Sequence, residues 1–296
     1  MRAYFLAGLL ALSAAPTAAE ARADTVLFVG NSFTFGANSP VWKYRAASVT
    51  DLNRDGVGGV PALFKLFTQE AGLDYRVSLE TAAGQSLEWH WLNKRPLIDR
   101  AWDHVVLQEY STIDPRRPGD PARLVIYSGK LAAMVRARNP KASISLTATW
   151  TRPDLTFPAG QHWSGQPVTR MAEDVRHAND LARRGNPAIG QVHPVGEAFN
   201  CAIAAGIADP NPYDGLSFGQ VDLWAFDQYH ASTAGYYLEA LVVFAGITGR
   251  DPRKLGRDET AANELGLSPD VARRLQSVAW QMALGGGCDA AALKFR

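Results

Sequence analysis

The chain has 296 residues, 47% of them hydrophobic, with 30 Lys and Arg balanced by 29 Asp and Glu for a formal net charge of +1. That length and apolar content suffice for a large buried core. The charge balance leaves no basic excess to meet a phosphate backbone, which argues against nucleic acid as a partner.

In chain order, the first element is a secretory signature. Arg2 gives a positive start, an apolar run extends from Tyr4 to Leu12, and Ala21-Arg22-Ala23 forms a small-x-small cleavage site before Asp24. Residues 1–23 therefore read as a signal peptide. The apolar run is short for a bilayer span, and no other segment reaches transmembrane length without charges. The expected mature chain, 24–296, is one exported domain, periplasmic or extracellular, without a membrane span. An uncleaved N-terminal anchor is the alternative.

Short Val-, Ile- and Leu-rich strands are predicted at 25–29, 75–80, 104–108, 142–149 and 188–192. Between and after them, amphipathic spacing predicts helices at 61–71, 121–138, 168–184 and 231–248. Five strands alternating with helices imply an α/β fold: a three-layer α/β/α sandwich around a mostly parallel, five-stranded sheet. Right-handed crossovers put every strand's carboxyl end on one rim. Two long loops, 36–59 and 153–167, leave that rim, and the region from Arg257 reads as a helical extension packing on the sheet.

The first strand, Val26-Leu27-Phe28-Val29, stops at Gly30-Asn31-Ser32. Ser32 thus stands outside a strand's carboxyl end, where open α/β sheets bind ligands. A serine hydroxyl needs a base to take its proton and a third group to orient that base. Asp227 and His230, three residues apart, can supply both, with the carboxylate on Nδ1 and Nε2 left for the serine. Each piece has a plainer reading. Ser32 could simply cap a helix, and Asp227 could be the N-cap of the helix that follows, with His230 in its first turn.

Taken together and in order, these pieces resemble the SGNH (GDSL-like) hydrolase superfamily. Gly30-Asn31-Ser32-Phe33-Thr34 matches its first block, Gly84 in Glu80-Thr81-Ala82-Ala83-Gly84-Gln85-Ser86 its second, and Asp227-Gln228-Tyr229-His230 its last. The third block departs. Where many members carry an Asn, this chain reads Val105-Val106-Leu107-Gln108, as in a subset with Gly-Asn-Ser-Phe openings. The resemblance covers roughly residues 25–248. It implies a flavodoxin-like fold, a Ser32–His230–Asp227 triad, and an oxyanion hole formed by the Ser32 and Gly84 amides and the Gln108 side chain. A buried amide capping the strand end is the other reading of Gln108. The implied activity is hydrolysis of small acyl esters, acetyl esters of carbohydrates foremost, through an acyl-enzyme. A lipolytic or thioester hydrolase and a non-catalytic sugar-binding member of the fold are the alternatives.

Aromatic residues near the rim (Trp42, Trp89, Trp91, Trp150 and Trp163) suit sugar stacking. Trp89, His90 and Trp150 are the expected substrate-binding residues, although such residues also simply pack. No metal or cofactor is expected. Asp51-x-Asn53-x-Asp55-Gly56 opens like a calcium loop, but Ala62 stands where a bidentate acid belongs, so a polar Asx turn is preferred and calcium left open. His193 lacks a carboxylate at useful spacing, and Glu109 is either an acid supporting the site from behind Gln108 or a solvated rim charge, the rim being preferred. Cys201 and Cys288 allow one disulfide tying the C-terminal tail to the body, or two buried thiols.

Overall fold

The computed structural model describes residues 22–294, apart from 284 and 286; the signal-like residues 1–21 lie outside the described part. Six strands form one parallel sheet in the order β2-β3-β1-β4-β5-β6. They are β1 Asp24–Gly30, β2 Thr50–Asp51, β3 Tyr75–Thr81, β4 His104–Leu107, β5 Ser143–Ala148 and β6 Ile189–Pro194. Five coincide with the predicted strands. The sixth, β2, carries no apolar run; it pairs because the 36–59 loop lies along the edge of β3, with Thr50 opposite Ser78.

The helices in chain order are α1 Ser32–Phe35, α2 Gly59–Glu70, α3 Leu87–Asn93, α4 Arg95–Ile98, α5 Ala122–Arg138, α6 Pro153–Thr156, α7 Arg170–Gly185, α8 Val195–Ala204, α9 Thr233–Thr248, α10 Thr260–Glu264, α11 Pro269–Ala283 and α12 Ala290–Leu293. Alternation along β1 explains the three layers. Val26 and Phe28 enter one core with residues of α2, α8, α9 and α11, while Leu27 and Val29 enter the other with residues of α5 and α7. A strand segment buried on both faces must be apolar at every position, as Val26 to Val29 are. The C-terminal extension packs on α9 and α8 more than on the sheet. A Cys201–Cys288 disulfide closes a separation of 87 residues and ties this extension to α8. No helix among the described residues is long and apolar enough to cross a membrane.

The order of strands fixes where chemistry can sit. From β1 the chain builds outward to β2 and β3 on one side, then crosses over from β3 to β4 on the other, the switch point at which open α/β sheets form a crevice. Register aligns the strand ends there, with Gly30 opposite Thr81 and Val29 opposite Leu107. The segments carrying Ser32, Gly84 and Gln108 therefore emerge side by side.

Candidate active site

Ser32 opens α1, a four-residue helix whose N-cap, Asn31, accepts the Phe33 amide on Oδ1. The serine is 6% exposed. The turn before it is close-packed: a Cβ on Gly30 would overlap Thr34 Oγ1 and come within 2.7 Å of Gln108 Oε1. Glycine is required here by lack of space, since its φ is ordinary.

The Gly84 loop docks onto this turn through two bonds. The Ala82 amide donates to the Gly30 carbonyl at 3.0 Å, and Asn31 Nδ2 donates to the Gln85 carbonyl at 3.0 Å. Gly84 itself has φ +66°, a left-handed conformation that L side chains rarely adopt. Neither the Ser32 nor the Gly84 amide has an acceptor among the described residues. Both follow the carboxyl ends of neighbouring strands, β1 and β3.

Gln108, 1% exposed, is committed to the scaffold. Its Oε1 accepts the Asn31 amide at 2.9 Å and the Thr34 hydroxyl at 3.1 Å, and its Nε2 donates to the Glu109 carbonyl. A backbone N–H on Oε1 fixes which end of the amide is oxygen. The carboxamide thus holds the turn that presents Ser32, while Nε2 carries a second hydrogen beyond the one given to the Glu109 carbonyl. Glu109 corrects another expectation. It is 4% exposed, not a rim charge. Its Oε1 accepts the Leu87 and Tyr110 amides, and its Oε2 is buried without a partner. Burial pushes its carboxyl up to about 7 against the lowering effect of those amides and of Arg123.

At the other end of the sequence, the tight loop between Trp224 and Ala231 carries Asp227 and His230. Asp227 Oδ1 accepts the amides of Tyr229 and His230, which shapes the loop. Oδ2 lies 2.6 Å from His230 Nδ1. Burial raises the Asp227 carboxyl, but the bonds from the His230 ring and from the two amides outweigh it and hold it below its usual value. The N-cap of α9 is Ser232, not Asp227. His230 Nε2 is buried and has no hydrogen-bond partner.

Contacts that span the sequence bring this loop to the serine turn. The Phe33 ring lies 5.7 Å from the His230 ring and 5.4 Å from Tyr229. The Tyr236 hydroxyl, on α9, donates toward the Ser32 and Ala37 carbonyls at 3.2 Å each. Asn38 Nδ2 donates to Asp227 Oδ2 at 2.7 Å. Asn38 escapes a sequence reading because it stands 189 residues from its partner, and nothing local marks it.

Of the expected substrate-binding residues, two are placed elsewhere. Trp150 is fully buried, stacked between Phe33 at 4.3 Å and Phe199 at 5.1 Å, with its indole N–H on the Tyr229 carbonyl. It props the Ser32 turn and the Tyr229–His230 loop from within the core. His90 is also fully buried, with Nδ1 bonded to Glu80. Trp89 is half-buried, with the Lys94 ammonium 5.7 Å from its ring centre. Trp163 is buried too, whereas Trp42 is 42% exposed. His193 is buried with Nε2 2.9 Å from Ser145 Oγ, and burial pushes it down to about 4. Asp51 forms the Asx turn: its carboxylate accepts the amides of Asn53, Asp55 and Val57. A cation already touches this loop, because Lys94 Nζ donates to Asn53 Oδ1 at 2.8 Å.

No protein-family model matches the sequence, and no curated protein does either. Solved structures do. A DUF4886 family protein from Bacteroides uniformis is similar with a TM-score of 0.62 and 20% identity, over 89% of this chain and 95% of that one. A protein from Parabacteroides merdae named as a GDSL-like lipase is similar with a TM-score of 0.51 and 15% identity, over 76% and 95%. An SGNH hydrolase so named from Slackia heliotrinireducens gives 0.48 and 21%, over 76% and 100%. At such identities the likeness is one of fold, and the α/β sandwich of this chain is the fold found among SGNH/GDSL hydrolases.

Proposed function

We propose that this protein is an exported serine esterase that hydrolyses small acyl esters of polar compounds, acetylated carbohydrates foremost. The observation that carries the reading is the placement of the Asp227–His230 pair against the Ser32 turn. The His230 Nδ1 is held by Asp227 while its Nε2 is buried and unpartnered on a loop packed against the Ser32 turn. An imidazole held by a carboxylate, with its second nitrogen unpaired on a loop that meets the serine turn, is what a general base needs.

In the proposed reaction Ser32 Oγ attacks the ester carbonyl as its proton passes to His230 Nε2. Asp227 holds the ring in the required tautomer and stabilises the imidazolium. The Ser32 and Gly84 amides donate to the tetrahedral oxyanion, each worth about 3–4 kcal/mol of transition-state stabilisation. Collapse passes the proton from His230 to the departing alkoxide and leaves an acyl-serine. Water, deprotonated by His230, then cleaves the acyl-enzyme and releases the carboxylic acid.

Polar substrates are supported by the cavity of about 350 Å³ beside the site, whose lining includes Lys43, Lys94, Asn53 and Asp55. Export is supported by the Cys201–Cys288 disulfide, since such bonds persist in oxidising compartments. Purified protein should hydrolyse p-nitrophenyl acetate, and Ser32→Ala should abolish turnover while keeping the wild-type melting temperature. Full activity in that variant would sink the mechanism.

A further inference from the structure

Two lysines line a cavity whose walls continue along the chain into the Ser32 and Gly84 segments, and neither is ion-paired among the described residues. One wall of this cavity is Phe35, three residues beyond Ser32; another is Thr81, Ala82 and Ala83, which run directly into Gly84. Lys43 comes from the 36–59 loop and Lys94 from the end of α3, so distant segments converge on one space. Lys43 Nζ donates to the Asp55 backbone carbonyl at 2.8 Å, and Lys94 Nζ donates to the Asn53 side-chain oxygen at 2.8 Å. Both acceptors are neutral. Each ammonium has three N–H donors, so each keeps donors for a ligand. The Asp55 carboxylate also lines the cavity, leaving two positive charges against one negative.

The lysines are also held in place. Asn53, which receives Lys94, is anchored by donating to Glu80 Oε1 at 3.0 Å and to the Thr81 carbonyl at 2.9 Å. The Lys43 ammonium lies 5.0 Å from the centre of the Trp42 ring, itself 42% exposed and 5.5 Å from Phe35. Two ammonium groups with donors to spare match a sugar bearing an anionic oxygen group: the lysines take the charge, and the partly exposed Trp42 indole, with Lys43 over its ring, forms part of the wall.

We infer that the cavity lined by Lys43, Lys94 and Trp42 is a substrate subsite that selects acyl esters of acidic sugars, whose carboxylate or sulfate group is bound by the two lysines. The reaction at this subsite rests on the esterase reading above; the binding does not. That separation sets the experiment. With the full mature chain carrying Ser32→Ala, affinities for methyl galacturonoside, galactose 6-sulfate and methyl galactoside are measured by ligand-observed NMR at two salt concentrations. The two acidic ligands separate a carboxylate from a sulfate preference.

At least one acidic ligand should bind about tenfold or more tightly than the neutral one, as a charge-assisted contact of about 1.4 kcal/mol gives. The preference should weaken with salt. It should vanish in Lys43→Met/Lys94→Met and survive in Lys43→Arg. Lys43→Met alone removes one bond to a loop carbonyl and one contact with the partly exposed Trp42 ring, so it keeps the test valid if the double variant melts early. Hydrolysis by the wild-type chain of acetylated galacturonoside and acetylated galactoside should show the same ratio in kcat/KM. Equal affinity for acidic and neutral ligands, or a preference unchanged in the lysine variants, overturns the subsite even if neutral esters are cleaved. Selective binding without any ester cleavage supports the subsite and overturns the esterase reading instead.

Discussion

Two carboxylate–imidazole pairs stand in this molecule, and they differ in surroundings more than in geometry. In each, Nδ1 meets a carboxylate oxygen and Nε2 is buried without a partner: His230 with Asp227, and His90 with Glu80. The first lies on a rim loop, its side chains 12% and 23% exposed, against the turn of a buried serine. The second is 0% exposed on both side chains and joins α3 to β3 behind the Gly84 loop. The pairing alone is therefore no signature of catalysis. What distinguishes a base is a route by which substrate and nucleophile can reach the second nitrogen.

The sharpest way to break this contrast is to remove each imidazole in turn. His230→Ala should lower kcat on p-nitrophenyl acetate by about 10,000-fold with little change in melting temperature, because catalytic groups acting as a unit fail together. His90→Ala should do the reverse. It leaves the buried Glu80 carboxyl facing a cavity, costing about 3 kcal/mol or more in urea unfolding, while the folded fraction keeps activity. A His90 variant that is fully folded and inactive would erase the distinction.

Smaller in effect is a pH test on Glu109, another buried carboxyl with an unpartnered oxygen. Its pKa in the folded chain, about 7, lies above the ordinary 4.5. The folded state then binds the proton more tightly than the unfolded state. The stabilisation is complete below about 4.5 and is lost as pH rises through about 7. Stability should fall by at most about 3 kcal/mol between pH 5 and pH 8 from this group. Glu109→Gln keeps an oxygen for the Leu87 and Tyr110 amides and should flatten that slope. An identical slope in wild type and variant would show that Glu109 is ionised on both sides of the range.

The sheet was legible because its strands are short runs of branched and aliphatic residues, and the amphipathic helices between them follow the same logic. The two-residue β2 was not, since Thr50 and Asp51 pair only through the tertiary path of their loop. At the site, Ser32, Gly84, Asp227 and His230 could be named from local patterns, and the structure brings their segments to one rim. The environment of each neighbour could not. Trp150 follows a strand end just as a rim residue would, yet two aromatic rings close over it. Gln108 stands where an amide donor was expected, and its oxygen also takes the Asn31 amide and the Thr34 hydroxyl, a bracing role for the Ser32 turn that the local pattern does not announce. Such roles depend on which side chains arrive from elsewhere, and periodicity carries no trace of that.

The assignment of Ser32 as nucleophile is tested most directly by covalent labelling with a fluorophosphonate, followed by peptide mass spectrometry, in wild type and in His230→Ala. The triad predicts a single stoichiometric adduct on Ser32 in the wild type and its loss in the variant. An unlabelled wild-type protein, an adduct on another residue, or equal labelling without His230 would contradict it.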